Sequence, residues 1–297
     1  MSSFKQNQKR NKTKTFILLA LMFMLLVGVF AAVSQYLGIT GSSILFPVII
    51  VLALTSVWGS YWWSDKLVLK LTGAKLIEYN DNPVLYNVVT EIAIAAGLPE
   101  VKIAIVDDPA PNAFATGRNP EHAIVAFTTG LLDKMSRDEL QGIAAHELAH
   151  VANRDTLLMA VAATTAGIIA LVGDMFWRIA FFGGGRKNRS SSGGGGALMI
   201  VAIIALIVAP IAAALLRFAV SRSREALADA TAVEYTRDPA GLRDALLKLQ
   251  ADSTVVRSHS TAVAHLWVES PLAGGMNKLF ATHPPIQDRI DALEEML

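Results

Sequence analysis

The sequence predicts an α+β fold that is mainly helical, with four transmembrane helices joined to a soluble domain containing a small sheet. Three observations predict it. Of 297 residues 53% are hydrophobic, with a mean hydropathy of +0.44, and the excess gathers into blocks near the about 20 apolar residues that a bilayer crossing needs. Between and after those blocks, helical periodicity alternates with short extended runs bounded by Gly, Pro and Asp. Within this remainder, His146-Glu147-Leu148-Ala149-His150 lies in a run that reads as helix. Residues four apart share a helix face, so both imidazoles reach one cation with Glu147 beside it.

The apolar blocks cover about 16–35, 44–63, 157–182 and 197–218. A cleavable signal peptide would also explain the first block and its basic leader, but a second block follows almost at once, which favours an uncleaved hairpin. Lys5, Lys9, Arg10, Lys12 and Lys14 precede the first span, whereas the short loop near 38–43 carries no Lys or Arg. By the positive-inside rule the N-terminus is cytoplasmic. Two crossings return the chain to the cytoplasm, and two more leave Arg217, Arg222 and Arg224 on the same side. The chain thus divides into a cytoplasmic basic tail (1–15), a transmembrane hairpin (16–63), the first part of the soluble domain (64–156), a second hairpin (157–218) with a Gly/Ser-rich loop (183–196), and the second part of the domain (219–297). Arg186, Lys187 and Arg189 in that loop run against the rule. Asp174 and Arg178, four apart in the third block, can pair along a helix. The alternative for the second pair of blocks is a hairpin that does not cross fully.

A net charge of +1 gives no reason to expect a nucleic-acid partner. The absence of cysteine excludes disulfides and thiolate ligands. In the soluble part, Asn82-Pro83 followed by Val84, Leu85, Val88, Val89 and Ile92 predicts a helix with Pro at its first position, ended by Gly97 and Pro99. Residues 101–106 read as a strand. Residues 112–116 and 123–127 read as a hairpin across Gly117-Arg118-Asn119-Pro120. Ser136-Arg137-Asp138-Glu139 is a capping box, and Leu140, Ile143, Ala144 and Leu148 supply an apolar stripe for the helix it starts. Helices are also predicted over about 221–235, from Asp238-Pro239 onward, and at the C-terminal end, where Ile286, Ile290, Leu293 and Leu297 fall at core spacing. His122, His259 and His265 belong to no pattern and read as surface or packing residues.

Two histidines suit zinc if a third protein ligand joins them and one position stays open for water, which makes a zinc-dependent peptidase the leading reading. No further histidine follows at the spacing of the longer H-E-x-x-H-x-x-G-x-x-H class. Glu225 and Asp229, four apart, face the same way on a predicted helix. One would bind the metal while the other accepts a proton from a ligand imidazole; the spacing does not say which.

Four stretches in order resemble the HtpX family of membrane-bound zinc metallopeptidases, relatives of the prenyl-protein peptidases of eukaryotes. They are Pro111-Asn112-Ala113-Phe114-Ala115-Thr116-Gly117, then His146 to His150, then Ser221-Arg222-Ser223-Arg224-Glu225 through Ala228-Asp229, and Thr282-His283-Pro284-Pro285. The resemblance implies a zincin-type, gluzincin-like protease domain holding one Zn2+ per chain through His146, His150 and Glu225. It implies Glu147 as general base and leaves Asp229 as the partner behind a ligand. It further implies a multi-pass protein of a bacterial plasma (inner) membrane, with its site facing the cytoplasm and misfolded or damaged membrane proteins as substrates. On the same ground, Asn112, Ala113, Phe114, Ala115 and Thr116 are expected to offer a sheet edge to which a substrate adds as a strand; the alternative is an ordinary hairpin strand. His283, held in an extended path by two prolines, either donates a hydrogen bond to the oxyanion or is a structural residue at a helix entrance. The competing functions are a prenyl-protein-type processing peptidase, a zinc-bound membrane scaffold that does not cleave, and a metal transporter. The last would need polar ligands inside the spans, where few are found.

Overall fold

The computed structural model describes residues 45–160, 222–252, 254 and 285–297, with residues 9, 13–17, 19–24 and 27–28 nearer the N-terminus. The expected spans at 157–182 and 197–218, the loop at 183–196, and His259, His265 and His283 lie wholly or mainly outside the described residues. Helix α1 (Leu45–Trp62) occupies most of the second apolar block. No helix among the described residues is long and apolar enough to cross a membrane. At 1.5 Å per residue, the 18 residues of α1 reach about 27 Å, short of a hydrocarbon core of about 30 Å.

The soluble part is mainly helical around one small mixed sheet. Helix α2 (Ser64–Thr72) ends at Gly73, whose φ of 71° supplies a left-handed cap. Strand β1 (Lys75–Ile77), helix α3 (Pro83–Ala95) and strand β2 (Lys102–Val106) follow. Asn82 caps α3 by accepting from the Leu85 amide at 3.0 Å, with Pro83 at the first position. Strands β3 (Ala113–Thr116) and β4 (Ile124–Thr128) form the predicted hairpin, from Ala113 opposite Phe127 to Thr116 opposite Ile124. The sheet order is β1-β2-β4-β3, with β2 and β4 parallel and both outer pairs antiparallel. Neither β1 nor the parallel pair is announced by the sequence. Lys75–Ile77 is only three residues long, and strand partners are set by tertiary packing rather than local pattern.

Alternation along the strands splits the core in two. Ile103, Ala113, Ala115, Val125 and Phe127 face the helices α3, α5 (Arg137–Ala152), α7 (Pro239–Ala251) and α8 (Ile286–Glu294). Ala104, Val106, Phe114, Ile124 and Ala126 face Val68 of α2 and Met159. Both faces of β4 are therefore buried, which is why residues 123–127 read as a continuous apolar run. The short helix α4 (Thr129–Lys134) links β4 to α5, and α6 (Arg222–Thr236) packs along α5. Helices α5 and α7 meet at backbone distance. A Cβ on Gly142 would lie 2.6 Å from the Leu242 nitrogen, and one on Gly241 would lie 2.7 Å from the Asp138 carbonyl oxygen. One expectation fails at the C-terminal end: Leu297 lies beyond α8 and is exposed, while Ile290 and Leu293 carry the packing. The α8 helix stops at Glu294, so its apolar face runs out before residue 297.

Candidate metal centre

Helix α5 sets the first half of the site. Ser136 Oγ accepts from the Glu139 amide at 3.4 Å and the Glu139 carboxylate accepts from the Ser136 amide at 2.7 Å, completing the capping box. Lys248 of α7 also donates to Glu139 at 2.7 Å, tying this helix start to its neighbour. Every residue from Gly142 to Ala152 is buried, so the motif does not sit on a solvated face. That rules out a pair of surface histidines. The helix ends at Ala152, Arg154 takes a left-handed backbone (φ 58°), and residues 155–160 are helical again.

The second half comes from α6. His146 Nε2 and His150 Nε2 lie 3.2 Å apart, and the Glu225 carboxylate oxygens lie 3.6 Å from the former and 3.7 Å from the latter. An ion with ligand bonds of about 2.0–2.1 Å in tetrahedral geometry holds its donors about 3.3–3.4 Å apart. The 3.6 and 3.7 Å contacts run to different Glu225 oxygens, and with one donor atom from each residue the three lie within 4.8 Å of one another, close enough to hold one such ion. Two nitrogens and an oxygen also match the donor set of catalytic zinc sites with one open position. Among the described residues this is the one cluster of its kind.

Behind each imidazole stands a carboxylate. Asp229 Oδ1 is 2.8 Å from His146 Nδ1, and Asp155 Oδ2 is 3.2 Å from His150 Nδ1. Each Nδ1–H donates to its acid, leaving the Nε2 lone pair directed at the shared point. Asp229 in turn receives Nε and Nη2 of Arg289 at 2.9 and 2.7 Å, a two-pronged pair buried with it. With Nδ1 of His146 already donating, the Arg289 Nη2 that lies 3.3 Å from it packs against the ring without a hydrogen bond.

The two histidines titrate in opposite directions. Burial, and then the Arg289 charge, push His146 down to about 4 against the pull of Asp229. Burial also pushes His150 down, but Glu225, Asp155 and Glu147 outweigh it and hold it up to about 9. Asp229 is buried, which opposes ionisation, yet Arg289 and His146 keep it well below the usual carboxylate range. Without metal, at neutral pH, the pair holds its proton on His150.

Glu147 is buried beside these groups, and its charge acts on both His150 and Arg289. Asn112, Ala113, Phe114, Ala115 and Thr116 lie on and just before β3, the edge strand of the sheet, and are buried as well. Asn112 is bound on the β4 side, where its N–H donates to Thr128 Oγ1 at 2.9 Å and its carbonyl accepts from the Thr128 amide at 3.0 Å. Two partners were missed by sequence reasoning, Asp155 and Arg289. Arg224, read there as a marker of membrane sidedness, is buried 4.0 Å from Asp155. A signal for Arg289 existed: it stands three residues after Ile286 and four before Leu293, so it is a charge placed on a core-facing stripe. His122, by contrast, is half-buried in a hydrogen-bonded packing role, as read.

Comparison with known proteins places these features in a group. The description "Peptidase family M48" matches residues 80–297. A protein named "Protease HtpX homolog" from Caldanaerobacter subterraneus subsp. tengcongensis is 42% identical over 293 residues, covering 98% of this chain and 96% of its own. One of the same name from Syntrophobacter fumaroxidans is 43% identical over 289 residues, covering 96% and 99%. The crystal structure of S. mikatae Ste24p superposes with a TM-score of 0.50 at 16% identity over 95% of this chain and 67% of that one, a likeness of fold.

Proposed function

Because the chain belongs to peptidase family M48 and is a membrane metalloprotease, we propose that it is a zinc endopeptidase that cleaves misfolded or damaged membrane proteins at the cytoplasmic face of a bacterial plasma membrane. One observation carries the chemistry: two imidazole nitrogens and the Glu225 carboxylate converge within 3.2–3.7 Å of one another. Zinc, when bound there, supplies Lewis acidity to a scissile carbonyl and brings the pKa of water to about 7. The protein's own groups do the rest. Glu147 accepts a proton as water attacks and returns it to the leaving amine. Asp229 and Asp155 hold the imidazoles in the tautomer that offers Nε2 to the metal. His283, on the segment leading into α8, donates a hydrogen bond to the developing oxyanion.

The substrate is held as a strand added to β3. In the hairpin register Asn112 faces Thr128 with hydrogen bonds to its hydroxyl and amide, so the alternation turns the main-chain groups of Ala115 and the carbonyl of Ala113 to the outer edge, while the Ala113 N–H donates to Asn112 Oδ1 at 3.1 Å. Main-chain pairing gives affinity largely independent of side chains, which suits a peptidase with many damaged clients. Anchorage by four spans rests on the apolar blocks at 16–35, 44–63, 157–182 and 197–218 and on the resemblance to the HtpX family.

The decisive test pairs metal analysis with cleavage of casein by wild type and Glu147→Gln. The variant should retain the metal content of the wild type while turnover falls roughly 10²–10⁴-fold, and a chelator should silence the wild type. Full turnover by Glu147→Gln would remove this mechanism.

A further inference from the structure

A cleft of about 290 Å³ opens where the first apolar hairpin meets the soluble domain. Thr15 and Phe16 border it from the start of the first apolar block and Tyr61 from the last turn of α1. Arg118 and Asn119 enter from the connection between β3 and β4, and Arg154 from the turn after α5. None of these belongs to the metal centre.

Arg118 is held in position on two sides. Its guanidinium lies over the Trp62 ring, 4.7 Å from the centroid, and donates to His122 Nε2. His122 Nδ1–H then donates to Asn119 Oδ1 at 2.6 Å. The Arg118 guanidinium, its donor satisfied at His122 Nε2, brings its positive charge to this side of the cleft. Arg154 reaches the same cleft through its left-handed backbone, which turns it out of line with α5. Among the described residues neither arginine pairs with a carboxylate. Two guanidiniums converging on one cleft with no acid between them suit an anion with several acceptor oxygens, which phosphate provides.

The surroundings identify the source of that phosphate. Trp58, Trp62 and Trp63 are all exposed around the end of α1, the arrangement of aromatic side chains at a membrane–water interface. Phe16 and Tyr61 stand at the same level, at the matching ends of two apolar blocks. We propose that this cleft binds the phosphodiester headgroup of an anionic phospholipid, with Arg118 and Arg154 on the phosphate and the acyl chains running along the first hairpin. The assignment rests on the reading of 16–35 and 44–63 as membrane spans. A bound lipid would seat the soluble domain on the bilayer.

The test uses the full chain in nanodiscs of phosphatidylcholine with a minor share of phosphatidylglycerol, followed by native mass spectrometry of the lipid it retains. Wild type should keep phosphatidylglycerol in preference to phosphatidylcholine. Retention should fall about fivefold for each of Arg118→Gln and Arg154→Gln, with metal content and melting temperature unchanged. Trp62→Leu, which removes the ring under Arg118 together with its contacts to Trp58 and Tyr61, should act in the same direction and covers the case in which an arginine variant folds poorly. Equal retention by wild type and the Arg118→Gln/Arg154→Gln double variant overturns the proposal. Displacement of the lipid by millimolar inorganic phosphate reassigns the cleft to a soluble anion, and displacement by poly-glutamate reassigns it to acidic peptides; either result overturns the lipid assignment. A chain that enters discs, holds zinc and cleaves casein but ignores phosphatidylglycerol refutes this site and leaves the peptidase reading intact. A chain that does not enter discs refutes the membrane spans, and the lipid site with them.

Discussion

The two ends of the metal centre use the same parts and reach opposite electrostatic states. At each end a buried carboxylate receives the Nδ1 proton of a buried histidine. At the His146 end, Arg289 closes on Asp229 at 2.7 and 2.9 Å and cancels its charge. At the His150 end, Glu225, Asp155 and Glu147 supply negative charge, with Arg224 Nη1 4.0 Å from Asp155. One imidazole is therefore driven down to about 4 and the other up to about 9. Ligand identity alone did not set this difference. Burial weighs on both rings, and Arg289 adds to it at His146 while Glu225, Asp155 and Glu147 overcome it at His150, so the excess negative potential lies on the side where a cation completes the site.

The strongest challenge to the comparison is Arg289→Ala. It strands the Asp229 carboxylate in the core without its cation, and breaking a buried pair in this way costs about 3–5 kcal/mol. Chemical denaturation of the metal-free protein should show a loss of that size; an unchanged midpoint would mean that Asp229 does not depend on Arg289. Next in size is Asp155→Asn, which keeps the shape but not the charge behind His150. Metal affinity should drop about 10–100-fold in a competition titration against a chelator, with the fold intact. Full affinity in that variant would show the second carboxylate to be decorative.

The smallest effect is the most specific. Between about pH 4 and about pH 9 the metal-free pair carries its proton on His150, and metal binding requires that proton to leave. His150 is protonated below its raised pKa, so affinity should climb about tenfold per pH unit as pH rises toward 9 and then level off. Calorimetry at pH 7 in buffers of different ionisation enthalpy should report release of about one proton per ion. Asp155→Asn should flatten that slope by lowering the His150 pKa, whereas Arg289→Ala should leave the His150 step in place. If both variants flatten it equally, the two ends are not electrically separate.

Local chemistry explains which parts could be read in advance. The helix starts at Asn82-Pro83, Ser136 and Asp238-Pro239 are announced by capping residues whose function needs only neighbours in sequence. The shared face of His146 and His150 follows from helical geometry alone. By contrast, Asp155 meets His150 only because the helix stops and Arg154 adopts a left-handed backbone, a break that neither Gly nor Pro marks. Arg289 meets Asp229 across 60 residues of chain. Such encounters are decided by packing, and a single sequence does not encode them as a pattern. The parallel pairing of β2 with β4 belongs to the same class, since it depends on where the intervening hairpin partner folds back.

The glycine contact between α5 and α7 has a mechanical consequence. Gly142 lies one turn before His146, and there the main chain of α5 rests on the main chain of α7 with no side chain between them. Side chains change rotamer with temperature and solvent, but two peptide backbones in van der Waals contact do not. The rail that carries both imidazoles is thus gauged against a hard stop, and its height above the sheet is insensitive to how softly the surrounding apolar groups are packed.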